Sequence, residues 1–248
     1  ELRTLLGARG RVPAVPPGPS PAYKFVQFVL GTSRLVLERI VHPEHRLPRI
    51  PLEAAQVAVM GNSSAMEQAF QERKRRLGSR FGFHGSPLHK WYSIMRNGLR
   101  VLSGTEFMSN GYVYGEGIYL AQHSSTAFHY CKGWEGSSYP CRVGGALRVF
   151  GVIEYINDPS CCTHHSSGIV TVSDPHAVML RYVVICSKSG FIATHTSDFC
   201  VDDLEIAERY CRLQQHVAQS TTSADASDRR QVDVSSILCD DRIPKQKK

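Results

Sequence analysis

Short apolar runs broken by glycine and polar pairs fill the centre of this chain, and stretches with apolar residues at three- and four-residue spacing flank them. Period-two alternation marks strands and three-to-four spacing marks amphipathic helices. RFGFHGS (residues 80–86) reads as a short buried strand entering a turn, and Ile118–Tyr119–Leu120 as the core of another. ALRVFGVIEYIND (146–158) predicts a long strand, and GIVTVSD (168–174) and MLRYVVICS (179–187) predict two more. The run YKFVQFVLGTSRLVLERI (23–40) has mixed periodicity and is read as a strand followed by a short helix, with Pro51 interrupting regular structure beyond it.

Helices are predicted in four places. Residues 62–79 can be capped by Ser63 or Ser64 and stopped by Gly78. In SPLHKWYSIMRNGL (86–99), Ser86 can cap with Pro87 at the first helical position, and Leu88, Trp91, Ile94 and Met95 fall on one core-facing side. A third helix follows Ser124 or Ser125 as cap and carries Phe128 and Tyr130, and a fourth begins near Asp202. The strands do not alternate regularly with helices, which argues against a doubly wound fold. GYVYGEG (111–117) has the wrong glycine spacing for a dinucleotide-binding strand–turn–helix. The expected organisation is an irregular Pro/Gly-rich arm or linker over 1–22, an N-terminal strand and helical part over 23–78, a core over 79–190, and a C-terminal helix with a disordered tail or linker over 191–248.

Composition narrows the classes. The 248 residues suffice for one large domain with extensions, and no stretch reaches the length of a membrane span. The chain opens on Glu1, which reads as an excerpt or processed form. The eight cysteines are too sparse for a disulfide framework, so free thiols and an intracellular setting, cytoplasmic or nuclear, are expected. CCTHH (161–165) clusters ligand types, but without a C-x-x-C pair no metal is expected. A formal charge of +7 and the basic run ERKRRL (72–77) are all that favours nucleic acid as a partner, and such a run is usually a solvated helix face.

Three features then stand in order: His84–Gly85, the string GEGIYLAQHSSTAFHYC (115–131) with Tyr119 and Tyr130, and Tyr182 at the start of a late strand. Alone, His84 reads as a turn residue with one hydrogen bond. Together the three resemble the catalytic domain of poly(ADP-ribose) polymerase-like, diphtheria-toxin-type ADP-ribosyltransferases, over roughly residues 23–190. The mono-ADP-ribosylating members with a His-Tyr-Tyr triad resemble it most.

The resemblance implies an α+β ADP-ribosyltransferase fold, with two packed, mainly antiparallel sheets and flanking helices. It implies NAD as ADP-ribose donor and proteins as acceptors. By the same resemblance His84, Tyr119 and Tyr182 are catalytic, and His84, Gly85, Ser86, Tyr119 and Tyr130 bind the dinucleotide. His84 would donate to the adenosine ribose in either tautomer, Gly85 would allow close approach of the carboxamide, and the tyrosines Tyr119 and Tyr130 would sandwich the nicotinamide. A tyrosine at the third position cannot supply a carboxylate's charge, which argues against chain elongation and for single transfer. Ala127 stands where the family usually has a serine, and the neighbouring Thr126 should point away. Glu154 reads as a strand residue more than as a substitute base. The alternative to a transferase is an inactive NAD- or ADP-ribose-binding module.

Overall fold

The computed structural model describes residues 37–47, 50, 54–60, 64–102, 113–131, 147–187 and 202–223. The arm over 1–22, the start of the 23–40 run, Pro51, Ser63, the Ser64 side chain and the tail beyond 223 lie outside them. The strands are β1 (Leu37–Arg39), β2 (Ala55–Val59), β3 (Ser79–Gly85), β4 (Ile118–Ala121), β5 (Leu147–Ile156), β6 (Cys162–His164), β7 (Ile169–Val172) and β8 (Val178–Ser187). The helices are α1 (Ser64–Leu77), α2 (Trp91–Asn97), α3 (Ser124–His129) and α4 (Asp203–Ser223).

All strand pairs are antiparallel, in the order β1-β2-β8-β5-β3-β4-β7-β6. The protein is thus α+β. The expected pair of sheets is one continuous ladder whose halves meet at a single pair, Phe83 opposite Ala121. Apolar side chains alternate across it to make two cores. One packs Phe70 of α1 and Trp91 and Ile94 of α2 against Ile118, Val149 and Ile153. The other packs Ala127 of α3 and Ile206, Tyr210 and Leu213 of α4 against Phe83, Phe150, Val152 and Val184.

Several local expectations are corrected. The end of the 23–40 run is β1 and not a helix, because Leu37 and Arg39 pair with β2, itself unforeseen, and β2 joins the sheet through β8. Ser86 caps nothing: the chain makes a 3-10 turn at Leu88–Lys90 with Pro87 at its cap position before α2 starts at Trp91. The N-cap of α3 is His123, and Ser124, one residue inside, has a buried hydroxyl without a hydrogen-bond partner among the described residues. Tyr130 sits just past α3, at its C-cap. Gly78 ends α1 as expected, with φ +74 and its N–H on the Lys74 carbonyl at 2.8 Å. Asp202 caps α4, its carboxylate accepting from the N–H groups of Leu204 and Glu205.

ERKRRL is only half a solvated face. Arg73 pairs with Asp174 and Asp158, and Lys74 reaches Glu154 at 2.7 Å. Among the described residues no helix is long and apolar enough to cross a membrane, and no group of three or more His, Cys, Asp or Glu is arranged to hold a metal ion.

Candidate active site

A cavity of about 610 Å³ opens where β3 ends, between the turn leading to α2, strand β4 and the end of α3. His84, Gly85, Ser86, Tyr119 and Tyr130 all line it, with Lys90, Arg100, Tyr114 and Ala127. The size suits a small ligand.

His84 leaves β3 with its Nδ1 3.0 Å from the Tyr119 carbonyl oxygen. A carbonyl can only accept, so Nδ1 carries the hydrogen and Nε2 is an acceptor. Burial holds the His84 pKa below the usual histidine value, partly countered by the Tyr119 carbonyl, so the ring is neutral at pH 7. The expectation that His84 donates in either tautomer is therefore corrected: it offers an acceptor, suited to a hydroxyl. Trp91 lies edge-on to His84 at 6.5 Å, and its Nε1–H donates to the Ser86 carbonyl at 3.1 Å, which fixes the turn leaving β3.

The reason for Gly85 differs from the expected one. A Cβ there would overlap the backbone carbonyl of Ala127 and crowd Cys131 Sγ at 3.2 Å. The missing side chain lets α3 lie directly on β3, and only through that contact does it shape the cavity. Ala127, 2% exposed, fills this contact and also lines the cavity.

Tyr119 is anchored through its phenol, which donates to the Gly115 carbonyl at 2.7 Å and accepts from the Tyr114 N–H at 3.0 Å. Tyr130 is 43% exposed and reaches the cavity from beyond α3.

Tyr182 is elsewhere, and its expected catalytic role is withdrawn. His84 lies opposite Gly151, and Gly151 opposite Val183, so the side chain sharing His84's face on β8 is Val183. Tyr182 pairs with Val152, points to the other face and packs against Tyr210 at 5.6 Å with no exposed surface. Among the described residues its hydroxyl has no hydrogen-bond partner, and burial pushes its pKa well above the usual phenol value. A bulge at Arg181 sets this register, since Leu180 pairs with Ile153 while Tyr182 pairs with Val152. Tyr182→Phe should leave the cavity unchanged. By removing an orphaned hydroxyl it should raise stability by up to about 1 kcal/mol in urea denaturation.

Glu154 is not a base at this site. It is 1% exposed and holds Lys74, Ser79 and Arg181, each at 2.7 Å. Among the described residues, no carboxylate lines the cavity. Lys90 and Arg100 do line it, and the sequence reading singled out neither. Their one available signal is position: both follow the His84–Gly85 pair within a short stretch, one before α2 and one after it.

Residues 37–143 match the poly(ADP-ribose) polymerase catalytic domain family. Over that segment the chain is similar to such a catalytic domain. The protein mono-ADP-ribosyltransferases PARP8 of Mus musculus and of Homo sapiens are each 36% identical to it over 109 residues. That alignment covers 44% of this chain but only 13% of the mouse protein and 12% of the human one. The poly(ADP-ribose) polymerase match contains every cavity residue named above, and β5, β8 and α4 lie beyond it.

Proposed function

We propose that this chain is a mono-ADP-ribosyltransferase domain that cleaves NAD, releases nicotinamide and transfers one ADP-ribose to a protein acceptor. One observation carries the reading: a single cavity combines the His84 acceptor, Tyr119, Tyr130 and the basic side chains of Lys90 and Arg100, with no carboxylate among its described lining residues. The rings suit a flat heteroaromatic leaving group, and stacking is worth about 0.5–1.5 kcal/mol per pair. The cations suit a diphosphate, and His84 Nε2 suits a ribose hydroxyl.

In the reaction the bond from ribose C1′ to nicotinamide nitrogen breaks, and its electron pair leaves with nicotinamide. A lone pair of the acceptor forms the new bond to C1′. An ionised acceptor carboxylate carries no proton to remove, so a cavity with no carboxylate base among its described lining residues can serve it. An acceptor hydroxyl is better served by a carboxylate base, and none stands among the cavity's described lining residues, which argues against elongation of ADP-ribose chains.

The test is nicotinamide release together with transfer of labelled ADP-ribose, for wild type, His84→Ala and Tyr119→Ala. Turnover in the wild type and a loss of about tenfold or more in each variant is expected, since each removes a hydrogen bond or a ring contact. The missing carboxylate also favours a second reading, a module that binds NAD or ADP-ribose without reaction. Saturable binding lost in His84→Ala, with no nicotinamide released by wild type, would establish that reading instead.

NAD affinity should be flat from about pH 8 to 6.5, the ordinary histidine value, and fall below it. The sign follows from the lowered His84 pKa: the ring is neutral above its folded value, and protonation at lower pH removes the Nε2 acceptor. Calorimetric titration across pH checks this. An intracellular setting, cytoplasmic or nuclear, is part of the proposal, supported by free thiols at Cys131, Cys161, Cys162, Cys186 and Cys211. Nucleic acid is only weakly supported as a partner: Arg73 and Lys74 of the basic run are held in internal ion pairs, which leaves Arg75 and Arg76 exposed.

A further inference from the structure

The glycine-rich turn before β4 is braced from outside the cavity. Tyr114 lines the cavity, and its ring stacks on His165 at 4.2 Å with 26° between the planes. Its hydroxyl donates to Ser167 Oγ at 2.7 Å. His165 and Ser167 belong to the tip of the β6–β7 hairpin, and that tip is well fixed. His165 N–H donates to the Ile169 carbonyl at 2.8 Å, and the Gly168 N–H to the His165 carbonyl at 3.0 Å. The Gln122 N–H donates to the Gly168 carbonyl at 2.8 Å, tying the tip to the end of β4. The ring nitrogen Nε2 of His165 hydrogen-bonds Thr171 Oγ1 at 3.0 Å. On the inner side, Tyr114 donates its N–H to the Tyr119 hydroxyl and its ring lies 6.3 Å from that of Tyr119.

We infer that His165 and Ser167 are positioning residues for the dinucleotide cavity, acting through Tyr114, which forms a further aromatic wall beside Tyr119. A turn built on Gly115 and Gly117 has little side-chain packing of its own, and one loose residue there would let the Tyr119 ring tilt. The hairpin tip supplies a flat, tethered surface against which Tyr114 is held, and the Tyr114 N–H in turn holds the Tyr119 phenol. The sequence hid this link because His165 sits in CCTHH, where its neighbours suggest metal chemistry, and lies 51 residues from Tyr114. Nothing in the CCTHH segment needs a metal to explain His165: its ring is used for stacking and for Thr171.

The inference rests on the NAD reading above, and its test keeps the two apart. NAD is titrated into wild type, His165→Ala, His165→Phe and Ser167→Ala, steady-state constants are measured, and amide hydrogen exchange is followed over residues 113–120. In His165→Ala the turn should exchange faster, and KM for NAD should rise about two- to tenfold with kcat little changed, the scale of one aromatic contact. His165→Phe keeps a flat ring and should restore both readouts, and Ser167→Ala should show a smaller shift in the same direction. Wild-type exchange and KM in His165→Ala, or failure of His165→Phe to restore them, overturns the inference. Faster exchange with unchanged KM overturns it too, because the brace would then not reach the cavity. If wild type binds no NAD, the proposed function fails, and the exchange of His165→Ala alone decides whether the hairpin holds the turn.

Discussion

Gly85→Ala should abolish NAD binding and cost the fold about 3 kcal/mol, the upper end for inserting one methyl group into a packed core. The added Cβ would overlap the Ala127 carbonyl. That neighbour is helix backbone, which cannot rotate away as a side-chain tip can. To make room, α3 must move off β3, taking Ala127 and Tyr130 out of the cavity wall. For a domain of this size the loss is roughly 6–12 °C in Tm. Gly78→Ala provides the contrast. Gly78 has φ +74 but nothing within 4 Å of a Cβ, so its cost is the backbone strain alone, about 1–2 kcal/mol, and NAD affinity should stay at the wild-type value. Scanning calorimetry and NAD titration of the two variants separate a shaped cavity from general destabilisation. Retained NAD affinity in Gly85→Ala would show that α3 does not form the cavity wall.

What the sequence revealed and what it hid divide along physical lines. Elements with a long, clean period were legible: α1, β5 and β8, and the start of α4 near Asp202. So was the order His84–Gly85, Tyr119, Tyr130, because those residues lie on consecutive elements and their spacing carries over into space. The third site residue was not. Placing Tyr182 required the register of β8 against β5, and one extra residue at Arg181 reverses which face each later side chain takes. No periodicity in MLRYVVICS shows a bulge. The caps failed for a related reason: Ser86 and Ser124 are each one position away from where a cap must stand, and a window of alternating residues does not resolve a single step. Gly85 was legible as essential, but its partner, the Ala127 carbonyl, is a backbone atom with no signature in sequence. The β6–β7 tip was invisible because β6 is only three residues long.

The second large effect concerns the ion network that ties α1 to the sheet. Arg181 is 1% exposed; it donates to Glu154 at 2.7 Å and to both oxygens of Glu67 at 2.8 Å. Phe70 and Tyr210 lie under and over its guanidinium at 5.3 and 5.0 Å. Arg181→Met should destabilise the protein by about 3–5 kcal/mol, because it leaves Glu154 buried without its main counter-charge. Converting both partners, Arg181→Met with Glu154→Leu, should cost less than Arg181→Met alone, since no uncompensated carboxylate then remains in the core. Acid titration provides an independent readout. Burial by itself raises the Glu154 pKa, but Arg181, Lys74 and Ser79 more than offset it and hold the carboxyl below its ordinary value. A depressed folded value means that the stabilisation is complete above the unfolded pKa, about 4.3, and is lost as pH falls through the folded value. Wild type should therefore lose stability between about pH 5 and 3. In Arg181→Met the burial effect is left less opposed, the folded pKa of Glu154 moves up, and the same interval should cost less. Urea midpoints measured at each pH decide it. A parallel acid loss in both proteins would assign the acid sensitivity to the Arg73 pairs with Asp158 and Asp174 rather than to the buried network.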